Sequence, residues 1–138
     1  MGGQSLILLD THCILWLDQA VARMGRQART LADAAIDAGD LAVSAISFWE
    51  VAMLYGKGRL IMNQPLPLWR RDWLQRGLIE LPLSGAIGIE AAGLTGFHAD
   101  PADRWLVATA REVGATIMTA DNRILAWPGR LDRHDARV

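Results

Sequence analysis

Four acidic residues of this chain recur at one kind of place in the predicted alternation of strands and helices. Asp10 and Asp121 each follow a short apolar strand, whereas Glu50 and Asp103 lie in the first turn of the helix after a strand. Because the carboxyl ends of parallel strands meet at one edge of an open sheet, we predict that the four carboxylates converge there. Such a cluster raises its own pKa values and is tolerated mainly when cations lie between the acids. The carboxylate oxygens suit Mg²⁺ or Mn²⁺ rather than zinc, which favours His or Cys ligands.

The clearest of the elements that must position these acids is the helix-then-strand unit in residues 98–121. Asp100 is a good N-cap residue, Pro101 suits the first helical position, and Gly114 suits the left-handed residue after the last turn. This start places Asp103 in the first turn of the helix. Apolar residues recur at helical spacing on one face, which we predict to pack on a sheet. The residues of that face are Leu106, Val107, Ala110 and Val113.

The rest of the chain shows the same alternation. Predicted strands occupy residues 6–9, 41–43, 78–81 and 115–118, with at most a short edge strand near the C-terminus. Predicted helices cover 12–17 after a Thr11 cap, 25–38, a segment through 51–54 that stops near Gly56, 65–74, 84–94, 101–113 and a short stretch through Leu125. This alternation predicts one α/β domain, residues 1–138, built as a three-layer α/β/α sandwich around a mainly parallel sheet.

Each acid also has a local interpretation that involves no ion. Ser47 and Glu50 fit the S-x-x-E capping box, in which Glu50 only closes its own helix. Asp103 suits the positive end of the helix macrodipole, Asp100 is interpreted as a helix cap, and Asp121 fits an ordinary turn or cap. Asp10 is harder to explain locally, because a charge directly after a buried apolar strand needs a partner. A shared acidic site and a set of local roles therefore both stay open on the residues alone.

Other polar side chains near these acids support weaker hypotheses. His12 and His98 are possible bases, although a histidine near a helix cap more often makes a local hydrogen bond. Three residues with hydroxyl groups could orient the acids or bound waters by hydrogen bonds: Thr11, Ser47 and Thr119. Three arginines could contact phosphate but more often form a solvated face: Arg23, Arg26 and Arg29.

Composition and charge limit the class of protein. Hydrophobic residues make up 51% and charged residues 21%, as in ordinary globular domains. A net charge of −1 argues against a protein that binds nucleic acid mainly by electrostatic attraction. If bound cations neutralise the four acids, however, the net charge of the protein becomes +3. Thirteen of the fourteen basic residues are arginine, the side chain suited to bidentate phosphate contacts. The chain has a single cysteine, Cys13, which permits no internal disulfide and fits a reducing compartment. The sequence shows neither a membrane-spanning stretch of ~20 apolar residues nor the pattern of a signal peptide. We therefore expect a cytoplasmic protein.

Five blocks of the sequence, taken in order, resemble those of PIN-domain ribonucleases, and most closely the VapC toxins of bacterial type II toxin–antitoxin systems. The blocks are Leu8-Leu9-Asp10-Thr11-His12, Ser44-Ala45-Ile46-Ser47-Phe48-Trp49-Glu50-Val51, Gly58-Arg59-Leu60, His98-Ala99-Asp100-Pro101-Ala102-Asp103-Arg104 and Thr119-Ala120-Asp121. The resemblance covers residues 6–125 and is weak after Pro128. The ordered set is specific, although no single block is.

The resemblance implies roles for five residues. Asp10, Glu50 and Asp103 match the acids that bind divalent metal in that family, and Asp121 matches its fourth, more variable acid. Thr119 matches a polar position that supports the site. The implied activity is that of an Mg²⁺- or Mn²⁺-dependent endoribonuclease. Its products would carry 5′-phosphate and 3′-hydroxyl ends.

The same resemblance implies partners. VapC-like toxins cut RNA, form homodimers and are silenced by a VapB-like antitoxin, whose C-terminal segment lies in an apolar groove and reaches the acids with a basic side chain. We expect the Trp-rich, apolar helices between Phe48 and Trp73 to supply these surfaces, since buried aromatic anchors are typical of interfaces. The identity of the RNA target depends on loop shape and surface contacts, which one sequence does not specify.

Two other hypotheses compete with this one. An Asp after the first strand also occurs in haloacid-dehalogenase-like phosphatases, but those carry a second Asp two residues later, where this chain has His12. The second alternative is a PIN-like module that has the same fold and binds RNA or protein, but does not cleave RNA. The chain contains no P-loop, dinucleotide-binding, serine-hydrolase or zinc-site pattern. Metal-dependent cleavage separates the ribonuclease from both rivals.

Overall fold

Five strands and seven helices alternate through residues 6–138, the part of the chain that the computed structural model describes. The strands are β1 (Ile7–Leu9), β2 (Leu41–Ser44), β3 (Ile79–Leu81), β4 (Thr116–Thr119) and β5 (Arg133–Asp135). The helices are α1 (Thr11–Gln19), α2 (Arg26–Ala38), α3 (Ala45–Gly56), α4 (Leu66–Gln75), α5 (Gly85–Gly93), α6 (Pro101–Val113) and α7 (Asn122–Leu125). The strands pair in the order β3-β2-β1-β4-β5 and every pair is parallel. Within these residues no helix has the length and apolar character needed to span a bilayer.

The central strand β1 is buried on both faces. Leu8 and Leu9 point to opposite sides, as successive strand residues do. Leu8 shares a hydrophobic cluster with Leu106 of α6, whereas Leu9 shares another with Ala32 of α2, and all four side chains are fully buried. Helices therefore cover both faces of the sheet, which confirms the predicted three-layer α/β/α sandwich and explains the continuous apolar run in the sequence.

The helix α6 begins and ends where the sequence predicts. The side chain of Asp100 accepts a hydrogen bond from the N–H of Ala102 at 3.0 Å, Pro101 is the first helical residue, and Gly114 ends the helix with a φ of 69°. Val113 is the exception on the predicted apolar face, since it is 43% exposed. Val113 is the last residue of the helix, where the chain leaves α6 for the loop before β4.

The start of α3 differs from the prediction. Ser44 is the cap residue, and its hydroxyl accepts a hydrogen bond from the N–H of Ile46 at 3.1 Å. The capping box predicted for Ser47 and Glu50 is therefore wrong, because Ser47 already lies inside the helix. The side chains of Ser47 and Glu50 are thus available for contacts outside their own helix.

The start of α1 differs in a similar way. Asp10 is the residue before the helix, and Thr11 is its first helical residue rather than its cap. The side chain of Asp10 makes no capping hydrogen bond. Both side chains therefore have other partners, which lie on α3 and at the end of β4.

The C-terminal segment completes the sheet, as the predicted edge strand. The guanidinium of Arg133 donates hydrogen bonds to four backbone carbonyls that follow or end α7: Ile124, Leu125, Trp127 and Gly129. Ala136 is fully buried, and its carbonyl accepts a hydrogen bond from the N–H of Gly25 at 2.8 Å. The segment after Pro128 is therefore an integral part of the fold.

The tryptophans divide between the core and the surface. Trp69 and Trp73 lie one helical turn apart on the inner face of α4 and are buried in the core. Trp49 of α3 is 54% exposed. The exposed aromatic surface between Phe48 and Trp73 is thus centred on α3 rather than α4.

Candidate active site

The four predicted acids line one pocket of about 300 Å³ at the carboxyl edge of the sheet. Asp10 follows β1, Asp121 follows β4, and Asp103 lies in the first turn of α6. Glu50 lies in the second turn of α3, not the first, because the helix begins earlier than predicted, at Ala45. The structure therefore places all four carboxylates in one pocket. Of the four, Asp103 and Asp121 belong to the described group whose ligand atoms lie close enough for one metal ion, and Asp10 and Glu50 do not. Other polar or aromatic lining residues are His12, Trp16, Asp100 and Arg123.

Asp10 is buried and held by a hydroxyl from the neighbouring strand. Its Oδ2 accepts a hydrogen bond from Oγ1 of Thr119 at 2.6 Å. The same Thr119 oxygen accepts the backbone N–H of Asp121 at 3.0 Å. Burial raises the pKa of Asp10 above its usual value, and the hydrogen bond from Thr119 opposes that rise. Thr119 thus links the acids that follow β1 and β4.

Glu50 is oriented by Thr11 on the neighbouring helix α1. The Thr11 hydroxyl donates to Oε1 of Glu50 at 2.5 Å, and Oγ of Ser47 lies 2.9 Å from the same hydroxyl. Since a hydroxyl has one proton, Ser47 acts as the donor to Thr11. Burial raises the pKa of Glu50, and the hydrogen bond from Thr11 lowers it in part. The Thr11 hydroxyl therefore orients Glu50 directly, and the Ser47 hydroxyl supports Thr11, in the supporting role that the sequence predicts for both residues.

Asp103 lies among several negative charges in the pocket. It is buried, and its pKa is raised to about 8, first by burial and then by the negative charges around it. These neighbouring charges belong to Asp10, Asp100, Asp121 and Glu50. The pocket therefore holds more negative charge than its own side chains neutralise.

His98 lies against Asp103, closer to the acids than a local capping role requires. Its Nε2 is 3.2 Å from Oδ2 of Asp103 but makes no hydrogen bond in this conformation. Its Nδ1 accepts the backbone N–H of Asp100 at 3.4 Å. His12 also lines the pocket, and its side chain is exposed. Sequence reasoning treated both histidines as possible bases, whereas the structure places His98 within reach of a cation bound at Asp103.

Arg123 is the pocket residue that sequence reasoning missed. Its Nη2 lies 3.0 Å from Oδ2 of Asp121 and 3.6 Å from Oδ2 of Asp103. Burial would raise the pKa of Asp121, but hydrogen bonds from the side chain and backbone of Arg123 lower it below its usual value. Asp121 also caps α7 by accepting the N–H of Arg123 at 2.8 Å, which is the local role considered for it. The only signal in the sequence is the pair Asp-x-Arg, and an arginine two residues after a cap is common.

The other arginines singled out in the sequence lie outside the pocket. Arg29 donates to the carbonyl of Val21 at 3.2 Å, and the guanidinium of Arg23 lies 5.8 Å from the ring centre of Trp16. Arg26 is exposed at the start of α2. Of the three, Arg23 neighbours a lining residue of the pocket, Trp16.

The donor set fits a hard divalent cation. Ligand atoms of His98, Asp103 and Asp121 all lie within 4.8 Å of one another. The ligands of an octahedral Mg²⁺ or Mn²⁺ ion, at about 2.1 Å from it, lie up to about 4.2 Å apart. Modest side-chain movements would therefore satisfy the ion, and a cation would relieve the repulsion that raises the pKa of Asp103.

An entirely parallel five-stranded sheet with clustered carboxylates over its carboxyl edge is the arrangement expected for PIN domains. The family model described as PIN domain matches residues 7–128, and the chain belongs to this family. Among curated proteins it is 32% identical to Ribonuclease VapC22 of Mycobacterium tuberculosis (strain ATCC 25618 / H37Rv) over 119 residues, which is 86% of this chain and 88% of that protein. The resemblance seen in the sequence is thereby confirmed.

Solved structures confirm the fold. A DNA-bound VapBC from Salmonella typhimurium matches with a TM-score of 0.69 at 17% identity, over 96% of this chain and 98% of that one. VapBC2 from Rickettsia felis, bound to a promoter DNA fragment, matches with a TM-score of 0.67 at 16% identity, over 94% and 97%. FitAcB from Neisseria gonorrhoeae matches with a TM-score of 0.58 at 18% identity, over 95% and 98%.

Proposed function

We propose that this chain is a divalent-metal-dependent endoribonuclease, the toxin component of a type II toxin–antitoxin system. The observation that carries the proposal is the convergence of four carboxylates in one pocket of a PIN domain, with the pKa of Asp103 raised to about 8. Its relationship to a protein named Ribonuclease VapC22 supports RNA as the substrate. We further propose that residues 1–138 form one domain and that the enzyme acts in the cytoplasm, where RNA is abundant and the lone Cys13 stays reduced.

Asp10, Glu50 and Asp103 would hold Mg²⁺, with Mn²⁺ as a possible substitute, and Asp121 would complete the site. A bound divalent ion supplies a polarised water and stabilises negative charge on the scissile phosphate and the departing 3′-oxygen. The protein's part is to hold its carboxylates in place, as Thr119 does for Asp10 and Thr11 does for Glu50. Such supporting hydrogen bonds orient ligands and usually affect metal affinity strongly.

The products follow from the same arrangement. As the resemblance to PIN-domain ribonucleases implies, we propose that the nucleophile is a water molecule activated by the bound ion and not the substrate's own 2′-hydroxyl. RNA fragments with 5′-phosphate and 3′-hydroxyl ends are therefore expected, and a 2′,3′-cyclic phosphate would contradict the mechanism. Neutralisation of four acids by cations would also change the net charge of the protein from −1 to +3, which favours approach of RNA.

The proposed partners are a VapB-like antitoxin and a second copy of the chain. Solved structures of the same fold include VapBC from Salmonella typhimurium and VapBC2 from Rickettsia felis. On this chain Trp49 and Tyr55 of α3 are at least half exposed, and such aromatic side chains are frequent anchors of protein interfaces. A non-catalytic PIN-like binding module remains the alternative function.

The proposal is tested by cleavage of end-labelled total RNA with Mg²⁺, with Mn²⁺ and with EDTA. The proteins to compare are the wild type and two variants, Asp10→Asn and Asp37→Asn. Asp10→Asn removes a charge at the centre of the pocket and keeps the shape of the side chain. Asp37 is exposed on α2, so its substitution is the matched control. We expect wild type and Asp37→Asn to cut, Asp10→Asn to lose at least about 100-fold in rate, and EDTA to abolish cleavage.

The outcome also separates the alternatives. Equal activity in all three proteins would indicate a contaminating nuclease and refute the proposed site. If structured RNAs are bound but not cut with either metal, the chain is a binding module. Mapping both fragment ends then identifies the cleavage chemistry and the first RNA target.

A further inference from the structure

Arg123 occupies the part of the acidic pocket where a cation would be expected. It approaches Asp121 through two atoms, Nε to Oδ1 at 3.2 Å and Nη2 to Oδ2 at 3.0 Å. The same Nη2 lies 3.6 Å from Oδ2 of Asp103. This guanidinium is thus the positive group that the described residues place between two of the proposed metal ligands.

A second Asp-x-Arg pair in the chain, Asp135 and Arg137, allows the contacts of Arg123 to be compared with those of a similar turn. Arg137 donates three hydrogen bonds of 2.9 Å to the carboxylate of Asp135. The donors are its backbone N–H, Nε and Nη2. The local geometry is the same as in Asp121 and Arg123. However, Arg137 reaches Asn122 instead of a second acid and does not line the acidic pocket. The turn accounts for the pairing of each arginine with its own aspartate, whereas the contact of Arg123 with Asp103 depends on the position of α6.

We propose that Arg123 is a positioning residue of the acidic site, an internal counter-ion that holds Asp103 and Asp121 until a divalent cation replaces it. The inference rests on the proposed function, since it assumes that these two acids bind the ion. Arg123 contacts Oδ2 of both residues, and an ion needs carboxylate oxygens at about 2.1 Å, so the guanidinium must withdraw as the ion enters.

The surroundings of Arg123 allow this exchange. Its side chain is 59% exposed, so it can leave the pocket without disturbing the core. Its hydrogen-bonded pair with Asp121 is solvent-exposed, and exposed ion pairs contribute little and are easily replaced. A doubly charged ion compensates the buried Asp103 better than the edge of a guanidinium does, because that carboxylate is surrounded by four others.

The test is a titration with Mn²⁺, followed by electron paramagnetic resonance of the free ion, in the absence of RNA. The proteins are wild type, Arg123→Gln, Arg123→Lys and Arg137→Gln, each checked for folding by circular dichroism. Because an exposed ion pair contributes little free energy, the loss of the one that competes with the metal should change the affinity for Mn²⁺ by about 2- to 5-fold. We expect Arg123→Gln to bind Mn²⁺ tighter by that factor, Arg123→Lys to lie between it and wild type, and Arg137→Gln to match wild type.

Each alternative outcome has one meaning. If Arg123→Gln binds Mn²⁺ with unchanged or weaker affinity, the inference is wrong. If Arg137→Gln tightens binding equally, the effect is one of net charge alone, and the inference is also wrong. Asp103→Asn serves to test the proposed metal site itself: if wild type binds no Mn²⁺, or if Asp103→Asn binds as wild type does, the proposed function fails before the role of Arg123 is reached.

Discussion

Asp103 is a residue whose ionisation should make the stability of the protein depend on pH. In the folded protein its pKa is raised to about 8, first by burial and then by its carboxylate neighbours, from the ordinary value of 3.8. Between these two values the native state keeps a proton that the unfolded chain has lost, so stability falls as pH rises. Burial raises the pKa of Asp10 and Glu50 as well, which adds to the same trend. Without divalent cations, we therefore expect the unfolding temperature to decline from about pH 5 to about pH 8.

Thermal unfolding in EDTA, followed by circular dichroism at several pH values, checks this expectation. Asp103→Asn cannot ionise, so its unfolding temperature should depend less on pH and exceed that of wild type at pH 8. Added Mn²⁺ should stabilise wild type most at high pH, because the ion competes with the proton for Asp103. Parallel pH profiles for the two proteins would contradict the electrostatic account.

At the scale of elements, Arg104 joins the end of α5 to the start of α6. Its guanidinium donates to five backbone carbonyls at 2.8 to 3.2 Å: Ala91, Ala92, Leu94, Phe97 and His98. The last carbonyls of a helix have no partner within it, so this one side chain satisfies the end of α5. It also holds the loop that places His98 beside Asp103.

Substitution of Arg104 should therefore cost more than that of an ordinary surface arginine. We expect Arg104→Ala to lower the free energy of unfolding by about 3 kcal/mol, since hydrogen bonds from charged groups are worth about 1.5 to 3 kcal/mol each and water replaces part of them. Arg104→Lys should recover little, because an ammonium cannot reproduce the fork of donors. Urea unfolding measures the change. Arg71, exposed on α4, provides the control Arg71→Ala, and similar small losses in both alanine variants would refute the role of Arg104.

At the scale of the whole molecule, the exposed apolar residues of α3 predict self-association. Trp49 is 54% exposed, and Met53 lies one helical turn further along the same helix with its side chain partly exposed. An exposed tryptophan next to other apolar groups usually marks an interface. We expect the chain alone to be a dimer in solution at tens of micromolar, and Trp49→Glu to weaken the dimer by placing a charge in its contact surface.

Light scattering after gel filtration gives the molar mass directly. Ile89 of α5 is also strongly exposed, so Ile89→Glu is the control for a charge placed elsewhere on the surface. A monomeric wild type would argue against the dimer. A dimer that Trp49→Glu leaves intact would instead show that another surface carries the contact.

The sequence by itself determined the features that depend on neighbouring residues. The alternation of strands and helices, the Asp100-Pro101 start of α6 and its end at Gly114 all agree with the structure. Each is decided by hydrophobic periodicity or by capping within a few residues, so its cause lies in the local sequence. Local reasoning failed at Ser47 and Glu50, where the capping-box pattern occurs although the helix begins at Ala45, with Ser44 as its cap.

Only the tertiary structure decided which side chains support or neutralise the acids. Thr119 and Asp10 are 109 residues apart in the chain, and Thr11 and Glu50 are 39 apart, yet each pair is in hydrogen-bond contact. The reason is the strand order, which places β4 beside β1 and brings α3 against α1. The approach of Arg123 to Asp103 and the raised pKa of that acid arise in the same way, because burial and charge repulsion depend on distances through space rather than along the chain.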